Sequence, residues 1–128
     1  MSDKDIEQEI QAKGKTAPRV TPEHIENIIT SEHYFTAFDG RHGAIDRGTY
    51  SGRERPITEG EDVQLLKTLT FCVLVLENGF TVIGESACAS PGNFDAEIGC
   101  KIARQNAVNK IWPLEGYLLK QQLFEDGI

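Results

Sequence analysis

Glu85-Ser86-Ala87-Cys88 places a carboxylate, a hydroxyl and a thiol within four consecutive positions, the densest run of potentially reactive side chains in the chain. A serine or cysteine nucleophile needs an adjacent base and donors for the oxyanion it creates. Main-chain N–H groups at a helix start near Asn93 could supply those donors. A small hydrolase or transferase using Glu85, Ser86 or Cys88 is therefore one hypothesis. Its weakness is geometric, because adjacent strand residues point to opposite faces and no histidine lies nearby in sequence. Strand packing is the simpler account, and thiol reactivity discriminates: an activated Cys88 alkylates well below the ordinary thiol pKa of about 8.5.

Two further constellations carry possible chemistry. His24, His33 and His42 with Asp39 match no zinc-ligand spacing, so no metal and no cofactor is expected. The basic residues Lys101, Arg104 and Lys110 lie on one predicted helix, while Arg53 and Arg55, with Arg41 and Arg47, lie in the preceding loop region. With Asn93 at the helix start they could frame a pocket for a small anion, since guanidinium groups meet phosphate bidentately. The plain alternative is a solvated face of mixed charge.

Composition narrows the field. A net charge of -7 over 128 residues argues against general affinity for a nucleic-acid backbone. No apolar run approaches the roughly 20 residues that span a bilayer, and the polar start MSDKDIEQEI lacks the features of a signal peptide. A cytoplasmic location with no membrane partner is expected. Three cysteines without a CxxC pair suggest neither a disulfide framework nor a zinc knuckle.

The elements that must position these residues centre on Thr70 to Ala89, two apolar runs hinged on Asn78-Gly79. That dipeptide predicts a β-hairpin with a two-residue type I′ turn and strands at about 69–77 and 80–89. In that register Leu69, Phe71, Val73, Val75, Val82, Gly84, Ser86 and Cys88 share one face. Thr70, Cys72, Leu74, Leu76, Thr81, Ile83, Glu85 and Ala87 share the other, which separates Cys72 from Cys88 and sets Glu85 on the face of Cys72.

Upstream, residues 1–19 read as a mobile N-terminal arm or short helix. Thr21 as N-cap and Pro22 at the first helical position start a helix predicted over 22–32, with Ile25, Ile28 and Ile29 as its apolar stripe. A third short strand is expected at 34–38 and a long loop at 41–62. Downstream, Asn93 is the expected N-cap of a helix over 94–111. There Phe94, Ile98 and Ile102 form one row and Gly99, Ala103, Ala107 and Ile111 the next. Pro113 is expected to kink the helix or restart it as 113–124. Residues 20–128 thus predict one α+β domain. Trp112, Tyr117 and Leu119 exceed the needs of one small core, which predicts a homo-oligomer.

The stretch NGFTVxGESACASPxNFDAEIGxKIARxNAVxKIWPLxGY, with the upstream QAKGKTAPRVTPEHIENIITSEHYFTAFDG, resembles a small tailed-phage protein family. That family is named for gene product forty-nine of a coliphage and gene sixty-six of a Shigella phage. Cys100 stands where a basic residue is expected, and Gly92 where an acid is expected. The resemblance implies a phage or prophage origin and no particular activity, so no functional residue is carried over from it. The leading expectation is a non-enzymatic accessory protein in counter-defence, binding a host protein or sequestering a small nucleotide-like anion. A DNA-associated or virion structural role is the remaining alternative.

Overall fold

The computed structural model describes residues 2–15, 17–48, 53–54 and 64–128. In chain order its elements are α1 (Asp3–Ala12), α2 (Pro22–Asn27), β1 (Ile29–Thr36), α3 (Ala37–Arg47), β2 (Leu69–Leu76), β3 (Thr81–Ala87) and α4 (Ala96–Glu125). Two 3-10 turns, Leu65–Thr68 and Pro91–Asn93, lead into β2 and α4. The architecture is α+β: a three-stranded antiparallel sheet in the order β1-β2-β3, with α4 packed across one face.

The helices begin where local polar chemistry satisfies their first N–H groups. Thr21 Oγ1 accepts from His24 N at 3.1 Å with Pro22 at the first position of α2, as predicted. Ser2 with Asp5 and Thr36 with Asp39 form reciprocal capping boxes that open α1 and α3. Asp95, not Asn93, caps α4: its Oδ1 accepts from Ile98 N at 3.0 Å, while Asn93 closes the preceding 3-10 turn.

The hairpin forms where predicted but in a different register. Its loop has three residues, Glu77-Asn78-Gly79, with Gly79 in the left-handed region at φ 88°. Gly79 N donates to Leu76 O at 2.8 Å, Leu76 N to Phe80 O at 2.8 Å, and Phe80 N to Asn78 Oδ1 at 2.9 Å. This is the three-residue hairpin pattern of a type I turn closed by a left-handed glycine. Leu69 consequently pairs with Ala87 and Cys72 with Gly84.

A slip of one residue exchanges the faces of β3 relative to β2. Val82 and Gly84 join Thr70, Cys72, Leu74 and Leu76 under α4, while Ile83 and Glu85 turn outward. Glu85 is thus exposed opposite Phe71 rather than beside Cys72. By the same parity Cys88 belongs with Cys72, although all three cysteines are free.

The cause of this register lies at Gly84. A Cβ placed there would stand 2.1 Å from Ala103 O and 2.2 Å from Ala107 N, so the backbone of α4 rests directly on the strand. Only glycine permits that approach. Ala103, Ala107 and Ile111 are fully buried with Cys72, Leu74 and Ile25. Full burial of an aliphatic side chain such as Leu74 or Ile111 is worth about 1.5–3 kcal/mol. Of the two predicted rows on this helix, Gly99, Ala103, Ala107 and Ile111 face the sheet, whereas Ile98 and Ile102 are exposed.

Four other expectations are corrected. Helix α2 stops at Asn27, because Ile29 already pairs with Leu76, and Ile29–Thr36 is the third strand instead of 34–38. The β-branched and aromatic run ITSEHYFT suits a strand edge better than a helix. The start of the predicted 41–62 loop is helical, since α3 runs to Arg47 and closes on Gly48 at φ 68°. Residues 49–52 and 55–63 of that loop lie outside the described residues. Helix α4 runs through Pro113 as one element rather than two, although Pro113 contributes no N–H to it.

Candidate functional site

Among the described residues, the side chains of the reactive run at 85–88 point apart and none pairs with a histidine or acid. Ser86 turns toward α4 and Glu85 toward solvent, and the Glu85 main-chain carbonyl accepts from Asn106 Nδ2 at 2.8 Å. Cys88 Sγ donates to Ser90 O at 3.1 Å. The histidines are engaged elsewhere: His24 Nε2 lies 2.6 Å from Glu115 Oε1, His33 Nε2 lies 3.1 Å from Ser31 Oγ, and His42 stacks on Phe38. Among the described residues no His, Cys, Asp and Glu side chains cluster to hold a metal ion.

The predicted anion-binding residues separate. Lys101 reaches Glu97 at 3.2 Å on the solvent side of α4, and Lys110 is exposed farther along it. Asn93 sits in the turn before the helix. Arg53 is exposed, and its main-chain N donates to Glu54 Oε2 at 3.2 Å; Glu54 in turn accepts from Arg41 Nη1 at 2.7 Å. Arg55 lies outside the described residues.

Arg104 alone of this set occupies a concave site. Its Nη1 and Nη2 donate to the two carboxylate oxygens of Glu26 at 3.1 and 2.7 Å, and its Nε donates to Glu32 Oε1 at 2.5 Å. Helix α2 supplies Glu26, strand β1 supplies Glu32, and α4 carries Arg104 between them. The bidentate guanidinium holds the Glu26 carboxyl below its ordinary pKa, and the carboxylates raise that of Arg104 further. Beside them on β1, partial burial pushes the Tyr34 phenol up to about 12, with the Cys72 thiol and Glu32 adding to the effect.

Arg104 opens onto a groove of about 1010 Å³ between α1, α2 and α4. Lys4 and Glu7 line it from α1, Glu23 and Glu26 from α2, and Gln105, Asn109 and Trp112 from α4. Arg19, at the approach to α2, donates both terminal nitrogens to Glu7. Trp112 Nε1 donates to Asp3 Oδ2 at 3.3 Å, which ties α1 across the groove. A smaller recess of about 250 Å³ between Ile6, Ile10, Val20, Pro22 and Trp112 continues it on the apolar side.

Sequence reasoning missed Lys4, Arg19 and Trp112 as lining residues, because α1 is brought to α4 by tertiary contacts. The capping box Ser2-x-x-Asp5 was the available signal that α1 forms a helix. Chemically the groove offers guanidinium and ammonium donors, amide side chains, an indole and several carboxylates.

Fold and site together define a small two-layer α+β protein whose polar side chains are arranged in ion pairs around an open groove. The chain belongs to the phage protein (N4 Gp49/phage Sf6 gene 66) family, whose model matches residues 20–123. Helix α1 lies outside that match and the remaining elements lie within it up to the last residues of α4. No match to this chain emerged among curated proteins or solved structures. No helix among the described residues is long and apolar enough to cross a membrane.

Proposed function

We propose that this phage-family protein acts by binding, and that the groove between α1, α2 and α4 sequesters a small nucleotide-like anion, in keeping with a counter-defence role. The observation that supports this is the union of Arg104, Arg19 and Lys4 with Trp112 and the Gln105 and Asn109 amides in one groove. Guanidinium groups bind phosphate, an indole offers a face to a base, and amides read its edge. The volume is that of a small-molecule site.

The carboxylates sharing the groove set the terms of binding. A phosphate competes with Glu26 and Glu32 for the same donors on Arg104, and with Glu7 for those on Arg19. Neutralising one competitor should therefore help the ligand. Titration calorimetry against a panel of nucleoside mono-, di- and cyclic phosphates should find a ligand that Glu26→Gln binds at least several-fold more tightly and Arg104→Ala loses. Absence of binding across the panel, or binding indifferent to Arg104→Ala, would defeat the proposal.

A second form of binding, capture of a host protein, draws on a different observation. Phe35, Phe71, Val73, Val75 and Ile83 lie together on the face of the sheet opposite α4, partly exposed among the described residues. An apolar row of that kind is a common partner surface. A host protein retained by the native chain and lost with Ile83→Asp, but unaffected by Arg104→Ala, would favour this form.

A further inference from the structure

Helix α4 outruns the sheet it covers. At 1.5 Å per residue its 30 residues extend about 45 Å, while the eight residues of β2 extend about 26 Å. Its last fully buried residue is Ile111, and the segment 112–125 buries none completely. Tyr117, Leu118 and Phe124 are 75%, 56% and 70% exposed, and Leu114 and Ile128 are exposed as well.

These exposed residues are ordered. Within the helix Leu114, Tyr117, Gln121 and Phe124 recur at alternating spacings of three and four, the a and d positions of a heptad seam, and Ile128 follows just beyond the helix end, after Gly127 at φ 80°. Charge indicates what packs on the seam. The seam begins at Lys110, exposed and outside every ion pair among the described residues, and ends at Glu125 and Asp126. A second copy running parallel would place Lys110 against Lys110 and acid against acid. Running antiparallel, it places Lys110 beside the partner copy's acidic end and opposes the two helix dipoles favourably.

We propose that the C-terminal half of α4 is an isologous interface, on which the same segment of a second copy packs antiparallel across the Leu114–Phe124 seam. This inference is independent of the groove.

Sedimentation equilibrium of the full chain tests it. The native protein should be a concentration-dependent dimer. Tyr117→Lys with Phe124→Lys should weaken association at least ten-fold while leaving the far-ultraviolet spectrum of the folded domain in place. Lys110→Glu alone and Glu125→Lys alone should each weaken it, and the two together in one chain should recover much of the loss, which misfolding would not. A monomer at ~100 μM, a dimer indifferent to the Tyr117 and Phe124 changes, or a double charge reversal no better than the singles would overturn the proposal, as would a dimer disrupted only by Ile83→Asp.

Discussion

At the scale of single residues, Gly84 carries the most structural weight. Its missing Cβ is the space through which α4 touches the sheet, and the three nearest atoms a methyl group would meet all belong to the helix backbone. Backbone does not swing aside as a side-chain tip does, so Gly84→Ala should cost about 3 kcal/mol or more, above the usual range for overpacking. Chemical denaturation compared with Gly116→Ala, where a Cβ meets nothing within 4 Å, is the measurement. Thr70 presents the opposite case. Its buried Oγ1 has no hydrogen-bond partner among the described residues, and Thr70→Val removes that unsatisfied hydroxyl. The valine variant should be more stable by about 1 kcal/mol, since an unpaired buried polar group costs roughly 1–3 kcal/mol. A loss of stability would mean that the hydroxyl is satisfied in solution. The sequence placed Gly84 within a strand, but the helix that requires a glycine there was not visible, because the contact joins residues about 20 positions apart.

At the scale of elements, the polar ties of α1 among the described residues are one ion pair, Glu7 with Arg19, and one indole hydrogen bond, and the helix buries no residue completely. Arg19 holds the Glu7 carboxyl below its ordinary value, and Arg104 does the same for Glu26. A lowered folded-state pKa makes a carboxylate's contribution fully present above its unfolded value of 4.5 and lost as pH falls through the folded one. Docking of α1 should therefore weaken below about pH 4.5, with Trp112 fluorescence shifting before the sheet unfolds. Coincident loss of Trp112 and far-ultraviolet signals would show instead that α1 and the sheet unfold as one unit.

The elements also show what local sequence could tell. The start of α2, the existence of the hairpin and the buried Gly99-Ala103-Ala107-Ile111 row were legible, because capping, turn chemistry and helical period are local. The register was not. Asn78-Gly79 fits both a two-residue turn and the end of a three-residue loop, and only packing against α4 selects between them. Ile25, Ile28 and Ile29 satisfy a helical stripe as well as a helix followed by a strand, so the end of α2 was equally open. Helix α3 was obscured by Gly40 and Gly43, although Thr36-x-x-Asp39 announced its start.

At the scale of the whole molecule, one long helix serves two surfaces. Its first half covers the sheet and contributes Arg104, Gln105 and Asn109 to the groove; its second half projects an apolar seam. Of the expected anion-binding residues that are described, only Arg104 lines the groove, because the fold spreads Lys101, Lys110 and Arg53 over separate surfaces. The Arg19–Glu7 and Arg104–Glu26 pairs join elements that no sequence period connects. On the proposed reading, acidic overall charge and a partly basic groove leave ligand selection to the competition between carboxylates and phosphate.

That competition is also the most direct test of the binding account. Calorimetric titration of the native protein, Glu26→Gln and Arg104→Ala with the same nucleotide panel should give an affinity order in which Glu26→Gln is tightest and Arg104→Ala shows none. Equal affinities in the three proteins, or binding abolished by Glu26→Gln in a chain that remains folded, would contradict it.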